Sequence, residues 1–186
     1  VQWLRDGIRL IPNAAVTEQM AESVPDNGGV YFVPALTGLG APYWDQYARG
    51  AIVGITRGTT AAHITRAALE GITYQVYDVL NSMENDIKSK LKEIRVDGGA
   101  VANCFLMQFQ ADICRCPVVR PKALETTALG VAYLSGLAVG YWKDMSDLQE
   151  QWSVDRTFTS SMSEEESVAL LHQWHKAVGR TLQWAE

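Results

Sequence analysis

The sequence is poor in cysteine, and the few that occur exclude two kinds of crosslink. There are three in 186 residues, at positions Cys104, Cys114 and Cys116. An odd number at these spacings gives neither a disulfide framework nor the paired Cys-x-x-Cys ligands of a structural zinc site. We therefore interpret them as the reduced thiols of a cytoplasmic protein.

Long apolar runs are also missing. One long stretch without a charged residue, Thr126 to Trp142, is rich in Gly, Ala and Ser. It is shorter than the ~20 apolar residues of a membrane span, and no signal-peptide pattern is visible near the start of the chain. We expect no membrane span, and we interpret this stretch as a buried helix that packs closely against a sheet.

Clustered positive charge is the third absence. The 16 Lys and Arg residues form no dense run, the net charge is −5 and the pI is about 5.2. Because clustered Lys and Arg bind phosphate backbones, we expect no nucleic-acid partner. With 47% apolar and 20% charged residues, the chain has the composition of an ordinary globular domain.

The apolar periodicity of a helix is present from the first residues of the chain. It runs through four apolar positions, Trp3, Leu4, Ile8 and Ile11. No capping residue precedes this helix, which we expect to end near Leu10, so we expect the natural protein to be longer. A second short helix at 17–23 carries few apolar residues and should lie at the surface.

Two longer helices carry clear start signals. Thr59 or Thr60 caps the first, and its apolar stripe is Ile64, Ala68, Ile72, Val76, Val79 and Met83. Ser163 and Glu166 form a capping box at the start of the last helix. Its predicted inner stripe is Val168, Leu171, Trp174, Val178 and Leu182.

The region between the first helices and the long one is predicted to form two strands and a loop. The strands are 30–33 and 51–55, and residues 34–50 between them form an irregular stretch. Loops of this length are uncommon in compact domains and are often functional. We expect Tyr43 and Trp44 to anchor the loop by packing.

The segment from 93 to 142 indicates an α/β fold. A strand, a glycine turn, a helix, a second strand and a second helix follow one another at 94–97, 98–99, 103–113, 117–120 and 126–140. This order implies parallel strands joined by a right-handed crossover.

The turn Gly98-Gly99 between strand and helix allows two interpretations. Two glycines bring bare backbone to the carboxyl end of a strand, where ligands bind in open α/β sheets. The amides of the following helix also favour negative charge. The residues themselves fit a nucleotide site and a tight connection without a ligand equally well.

Several motifs resemble a known family. Residues 38–45, Gly-Leu-Gly-Ala-Pro-Tyr-Trp-Asp, and 48–50, Ala-Arg-Gly, are similar to a stretch found in glycerol kinases. Residues 50–70 resemble the signature of the wider FGGY carbohydrate kinase family. Residues 96–103 and 125–130 continue the resemblance, which covers nearly the whole chain.

The resemblance implies an actin-like ATPase fold, in which two ribonuclease-H-like domains enclose ATP and substrate. Residues 1–186 would belong to the C-terminal nucleotide-binding domain, truncated, with parallel core strands flanked by helices. The N-terminal domain and the first strands of this domain would precede Val1.

The implied reaction transfers the γ-phosphoryl of Mg-ATP to glycerol, with ATP and Mg²⁺ as cofactors. An open sheet edge would favour association, so we expect a homo-oligomer.

The resemblance also implies the site residues. ATP contacts carry over onto Gly99 and Asn103, with Gly98 as the other glycine of the turn and Gln2 at a further ATP-contacting position. An exposed chain end explains Gln2 equally well. Asp97 is expected to cap the turn's amides rather than hold a metal.

No catalytic residue and no metal ligand is assigned, because the family's catalytic aspartate, polyol-binding residues and first phosphate loop would lie upstream. Asp45, Asp78 and Asp112 belong to none of those motifs. The piece alone is expected to be inactive. Two alternatives stay open: another FGGY sugar or polyol kinase, and a non-catalytic actin-like nucleotide-binding module.

Overall fold

The structure is a computed structural model that describes residues 1–185, apart from the side chain of Glu150. Strands and helices alternate along most of the chain. In order they are α1 (Gln2–Asp6), α2 (Val16–Glu22), β1 (Tyr31–Val33), β2 (Ala51–Val53), α3 (Ala61–Ile87), β3 (Ile94–Arg95), a 3₁₀ turn (Gly99–Ala102), α4 (Cys104–Cys114), β4 (Val118–Pro121), α5 (Thr126–Ala138), α6 (Met145–Gln151), β5 (Val154–Phe158) and α7 (Glu164–Val178).

Two small sheets organise these elements. β1 and β2 pair antiparallel, with Tyr31 opposite Val53. In the second sheet, β3 and β4 pair parallel through the α4 crossover, which confirms the predicted α/β unit. β5 pairs antiparallel with β4. This strand was not predicted, because apolar and polar residues alternate only weakly along it and all of its residues except Phe158 are exposed.

The core forms around α3, which packs against α2, α4 and β1. The Tyr74 ring on α3 stacks on Trp174 of α7, with centroids 5.2 Å apart, and meets the edge of Phe109 of α4 at 5.6 Å. Trp174 is fully buried. Aromatic contacts therefore join the long helix to α4 and to α7.

The predicted stripe of α3 is wrong in its second half. Thr60 is the N-cap, as expected, but Val76, Val79 and Met83 are exposed. The buried face contains Glu70 and Asp78 instead, because both carboxylates have partners in the interior. Paired polar groups can occupy a core position that hydrophobic periodicity assigns to an apolar side chain.

The helix at 126–138 is not the buried element that its composition predicted. Gly136 is its buried residue, whereas Val131 is 64% and Leu134 is 70% exposed. The Trp142 ring, just after the helix, lies against Gly136. No helix within residues 1–185 is long and apolar enough to cross a membrane.

Three further expectations need correction. α1 ends at Asp6 rather than near Leu10, because Arg9 adopts a left-handed backbone conformation with φ 53°. α2 lies at the surface with Gln19 and Glu22 exposed, but it buries one face at Thr17 and Ala21, which its few apolar residues did not predict. In the 34–50 loop, Trp44 is 79% exposed and does not anchor the loop.

The last helix confirms its predicted start but only part of its stripe. The Ser163 hydroxyl accepts a hydrogen bond from the amide of Glu166 at 3.1 Å. Leu171, Trp174 and Val178 are buried, whereas Val168 and Leu182 are exposed, 58% and 40% respectively. Val168 therefore faces outward on the helix, and Leu182 lies beyond its end at Val178.

Candidate functional site

The glycine turn after β3 presents open backbone. Gly98 has φ +82°, a conformation that favours glycine, and it is the N-cap of the 3₁₀ turn. Gly99 does not have a positive φ, and a Cβ built at Gly99 would meet no heavy atom within 4 Å. Neither its conformation nor its described neighbours therefore require glycine at 99, and the position is free for close approach by a ligand.

A cavity of about 550 Å³ lies beside this turn. Gln2 of α1, Gly99 of the turn and Asn103 at the start of α4 all line it, whereas Gly98 lies just outside its wall. Leu69 and Ile72 of α3 supply an apolar side. Three of the four predicted site residues, separated by up to 101 positions in sequence, thus meet on one concave surface.

The carboxamide of Asn103 has two protein partners. Its Oδ1 accepts a hydrogen bond from the amide of Leu106 at 2.9 Å, so Asn103 is the N-cap of α4. Its Nδ2 donates to the hydroxyl of Thr17 at 3.2 Å. One Nδ2 hydrogen is left for a ligand, because a carboxamide nitrogen carries two.

Helix α2 contributes two cavity residues that sequence reasoning missed. Thr17 and Glu18 both line the cavity, and the Glu18 carboxylate accepts a hydrogen bond from the amide of Cys104 at 3.0 Å. The expectation that the first amides of α4 attract a ligand's negative charge therefore needs correction. Glu18 and Asn103 already occupy the amides of Cys104 and Leu106. This wall suits an uncharged part of a ligand better than a phosphate.

Asp97 has a different partner from the one expected. Its carboxylate accepts a hydrogen bond from the hydroxyl of Thr126 and so connects β3 to the start of α5. The amide of Gly98 donates instead to the Leu124 carbonyl oxygen at 2.7 Å. Within residues 1–185, no three or more His, Cys, Asp and Glu side chains are grouped so that they could hold a metal ion.

The other aspartates that the sequence left unassigned have structural contacts. Asp78 accepts hydrogen bonds from Tyr43 and Trp174, at 2.7 and 2.8 Å. Asp112 accepts from the amide of Ser161 at 2.7 Å, and Asp45 accepts from amides in its own loop. None of the three lines the cavity.

A larger depression of about 920 Å³ lies between loop residues 37–47 and the C-terminal segment at 182–183. None of the predicted site residues lines it. We therefore take the smaller cavity as the candidate site.

The C-terminal domain of the FGGY family of carbohydrate kinases matches residues 1–139. The chain belongs to this FGGY family. The predicted fold, the C-terminal domain of an actin-like ATPase, is thereby confirmed.

Among FGGY proteins, the chain is 77% identical to a glycerol kinase of Parabacteroides distasonis over 186 residues, which is 100% of this chain and 37% of that protein. It is 62% identical to glycerol kinase 2 of Thermotoga maritima over 184 residues, 99% of this chain and 37% of that protein. The chain thus spans 37% of the length of these curated relatives.

Solved FGGY structures share the fold. A Plasmodium falciparum glycerol kinase crystallised with ADP matches with TM-score 0.87 and 36% identity, over 97% of this chain and 36% of that one. A ligand-bound xylulose kinase of Lactobacillus acidophilus matches with TM-score 0.76 and 27% identity, over 96% of this chain and 37% of that one.

Proposed function

We propose that this chain is the C-terminal, nucleotide-binding part of an ATP-dependent glycerol kinase. The observation that carries the proposal is the meeting of Gln2, Gly99 and Asn103 on one cavity of about 550 Å³. The names of the relatives support glycerol as the acceptor, and the ADP bound to the Plasmodium falciparum relative supports the nucleotide.

The cavity would hold the adenosine end of ATP. Its apolar side at Leu69 and Ile72 suits a base, and the bare backbone at Gly99 allows a flat ring to approach. The remaining N–H of Asn103 would donate to an acceptor on the nucleoside. Because Glu18 places a carboxylate at this wall, the phosphates would extend away from it.

In the proposed reaction, a terminal hydroxyl oxygen of glycerol forms a bond to the γ-phosphorus of ATP. The bond from that phosphorus to the bridging oxygen breaks, and ADP and glycerol 3-phosphate form. The hydroxyl proton passes to a carboxylate that lies outside this chain. Mg²⁺ bound with ATP would neutralise charge on the phosphate oxygens. The role of this chain is to bind and orient the nucleotide.

Replacement of Asn103 in the intact gene product tests the site. Asn103→Ala should raise the dissociation constant of ADP, and the KM for ATP, by about tenfold, because one direct hydrogen bond and its positioning are lost. Asn103→Asp is the matched control for helix capping, because aspartate is an equally good N-cap but has no N–H. If both variants bind ADP as tightly as the wild type, the site assignment is wrong.

A substrate panel tests the acceptor. We expect the intact gene product to release ADP with glycerol faster than with xylulose or gluconate. The alternative is another FGGY kinase, which the similarity to xylulose kinase supports. A ketose phosphorylated much faster than glycerol would establish that alternative.

The 186-residue chain alone should show no glycerol-dependent ADP release and only weak nucleotide binding, because we place the catalytic carboxylate and the other wall of the cleft outside it. Nucleotide binding without turnover by the intact gene product would favour a non-catalytic module instead. A homo-oligomer and a cytoplasmic location stay predictions, which size-exclusion chromatography and cell fractionation would check.

A further inference from the structure

Thr17 makes the contact on which this inference rests. Its side chain is buried, with 2% exposure, on the first turn of α2. The hydroxyl donates to the carbonyl oxygen of Ala14 at 2.7 Å and accepts from Nδ2 of Asn103 at 3.2 Å. Since its single hydrogen is committed to Ala14, the Thr17 oxygen can face Asn103 only as an acceptor.

The two ends of the Asn103 carboxamide are therefore fixed independently. The Thr17 oxygen requires a nitrogen on one side, and the amide of Leu106, 2.9 Å from Oδ1, requires an oxygen on the other. A flip of the carboxamide would lose both hydrogen bonds. In the fixed orientation one N–H hydrogen stays available at the cavity.

The helix that carries Thr17 is itself held in place. Glu18 bonds to the amide of Cys104 at 3.0 Å. At the other end of α2, the Arg66 guanidinium donates to the carbonyl oxygens of Ala21 at 3.3 Å and Val24 at 2.8 Å. Arg66 is in turn fixed by an ion pair of 2.9 Å with a buried carboxylate on α3. Thr17 thus acts from a rigid support.

We propose that Thr17 is a positioning residue of the nucleotide site. It orients the Asn103 carboxamide so that the free N–H meets a hydrogen-bond acceptor of the nucleoside part of ATP. The inference rests on the proposed function, and it adds a residue that lies outside the motifs carrying the family resemblance.

The test replaces Thr17 by the isosteric Thr17→Val in the intact gene product. We expect the dissociation constant of ADP and the KM for ATP to rise about fivefold to tenfold, because the carboxamide loses one of its two fixed ends. The kcat should stay within about twofold, since Thr17 does not touch the reacting atoms. Thr17→Ser keeps the hydroxyl and should restore binding.

Thr181 provides a matched control. It is also fully buried, and its hydroxyl also donates to the carbonyl oxygen three residues earlier, at 2.7 Å. It does not line the cavity. Thr181→Val should therefore lose stability as Thr17→Val does but leave the ADP affinity unchanged.

A double-mutant cycle separates positioning from general loosening. In the Asn103→Ala background, Thr17→Val should have no further effect on ADP affinity, because its target is gone. Two outcomes would overturn this inference alone. One is a further loss of ADP affinity when Thr17→Val is added to Asn103→Ala. The other is wild-type ADP affinity of the Thr17→Val single variant while Asn103→Ala binds ADP weakly. Failure of Asn103→Ala to change binding, or a wild type that binds no ADP, would overturn the proposed function together with it.

Discussion

The indole Nε1 of Trp174 donates a hydrogen bond of 2.8 Å to Oδ2 of Asp78, and both residues are buried. The same oxygen accepts from the hydroxyl of Tyr43 at 2.7 Å, while Oδ1 lies 2.9 Å from Nε2 of His175. One carboxylate on α3 therefore joins the 34–50 loop to the last helix. A group so placed holds elements that are far apart in sequence.

Asp78→Ala should destabilise the chain by about 2–4 kcal/mol, because two donors lose their acceptor and one of them is fully buried. Asp78→Asn should cost less, about 1 kcal/mol, since one carbonyl oxygen can still accept from both Trp174 and Tyr43. Urea unfolding followed by Trp fluorescence would measure both free energies of unfolding.

The control for Asp78 is Asp86 on the same helix, which is exposed. Asp86→Ala should change the free energy of unfolding by no more than about 0.5 kcal/mol. Equal effects of Asp78→Ala and Asp86→Ala would contradict the role of the buried carboxylate.

Much of the fold could be predicted from local sequence signals, and the errors share a physical cause. Thr60 and Ser163 were found as helix starts because capping depends on a few neighbouring residues. The buried face of α3 was missed because Asp78 is satisfied by partners nearly 100 positions away. The strand β5 was missed because Phe158 is its only buried residue, so apolar and polar positions do not alternate clearly along it.

The candidate site was predictable only in part for a similar reason. Gly99 and Asn103 lie in a motif that sequence similarity identifies, so they could be named without the fold. Thr17 and Glu18 lie on a short polar helix that gives a weak periodic signal. Their roles depend on contacts across 86 positions, which the sequence pattern does not record.

Glu18→Gln should lower the free energy of unfolding by about 0.3–1 kcal/mol, because a carboxylate at the first turn of α4 interacts with the helix dipole more strongly than a neutral amide does. The effect should shrink as salt is raised from low to physiological concentration. Glu22→Gln on the same helix is the control, since Glu22 is exposed and no contact with α4 is seen in the described part of the chain. If the free energy of unfolding of both variants depended on salt in the same way, the interaction of Glu18 with the first turn of α4 would be contradicted.

The Cys114 thiol should make stability depend on alkaline pH. Burial raises the pKa of Cys114 to about 12, although a contact of 2.9 Å from Gln110 acts in the opposite direction. Above pH ~9 the unfolded chain loses this proton while the folded chain keeps it, so the free energy of unfolding falls as pH rises toward 12, by at most about 1.4 kcal/mol per pH unit.

Cys114→Ala isolates this contribution of the thiol. The difference in free energy of unfolding between wild type and variant should decrease between about pH 8 and about pH 10.5, because the contributions of tyrosines cancel in the difference. Cys104→Ala leaves the Cys114 thiol in place, so its free energy of unfolding should fall with pH as steeply as that of the wild type. A difference that is constant with pH would show that Cys114 ionises equally in both states.

The sharpest contrast in the fold concerns two glycines in the middle of helices. At Gly71 of α3, an added Cβ would collide with the carbonyl oxygen of Phe32 on β1, whereas at Gly130 of α5 it would meet no heavy atom within 4 Å. Helix propensity alone favours Ala at both positions by up to about 1 kcal/mol.

Gly71→Ala should instead destabilise the chain by about 1–3 kcal/mol, because the strand and helix backbones must separate. Gly130→Ala should stabilise it, and thermal unfolding of the two variants would measure the opposite signs. If both substitutions raised the melting temperature, the close approach of α3 to β1 would be wrong, and with it the packing that places Leu69 and Ile72 beside the candidate cavity.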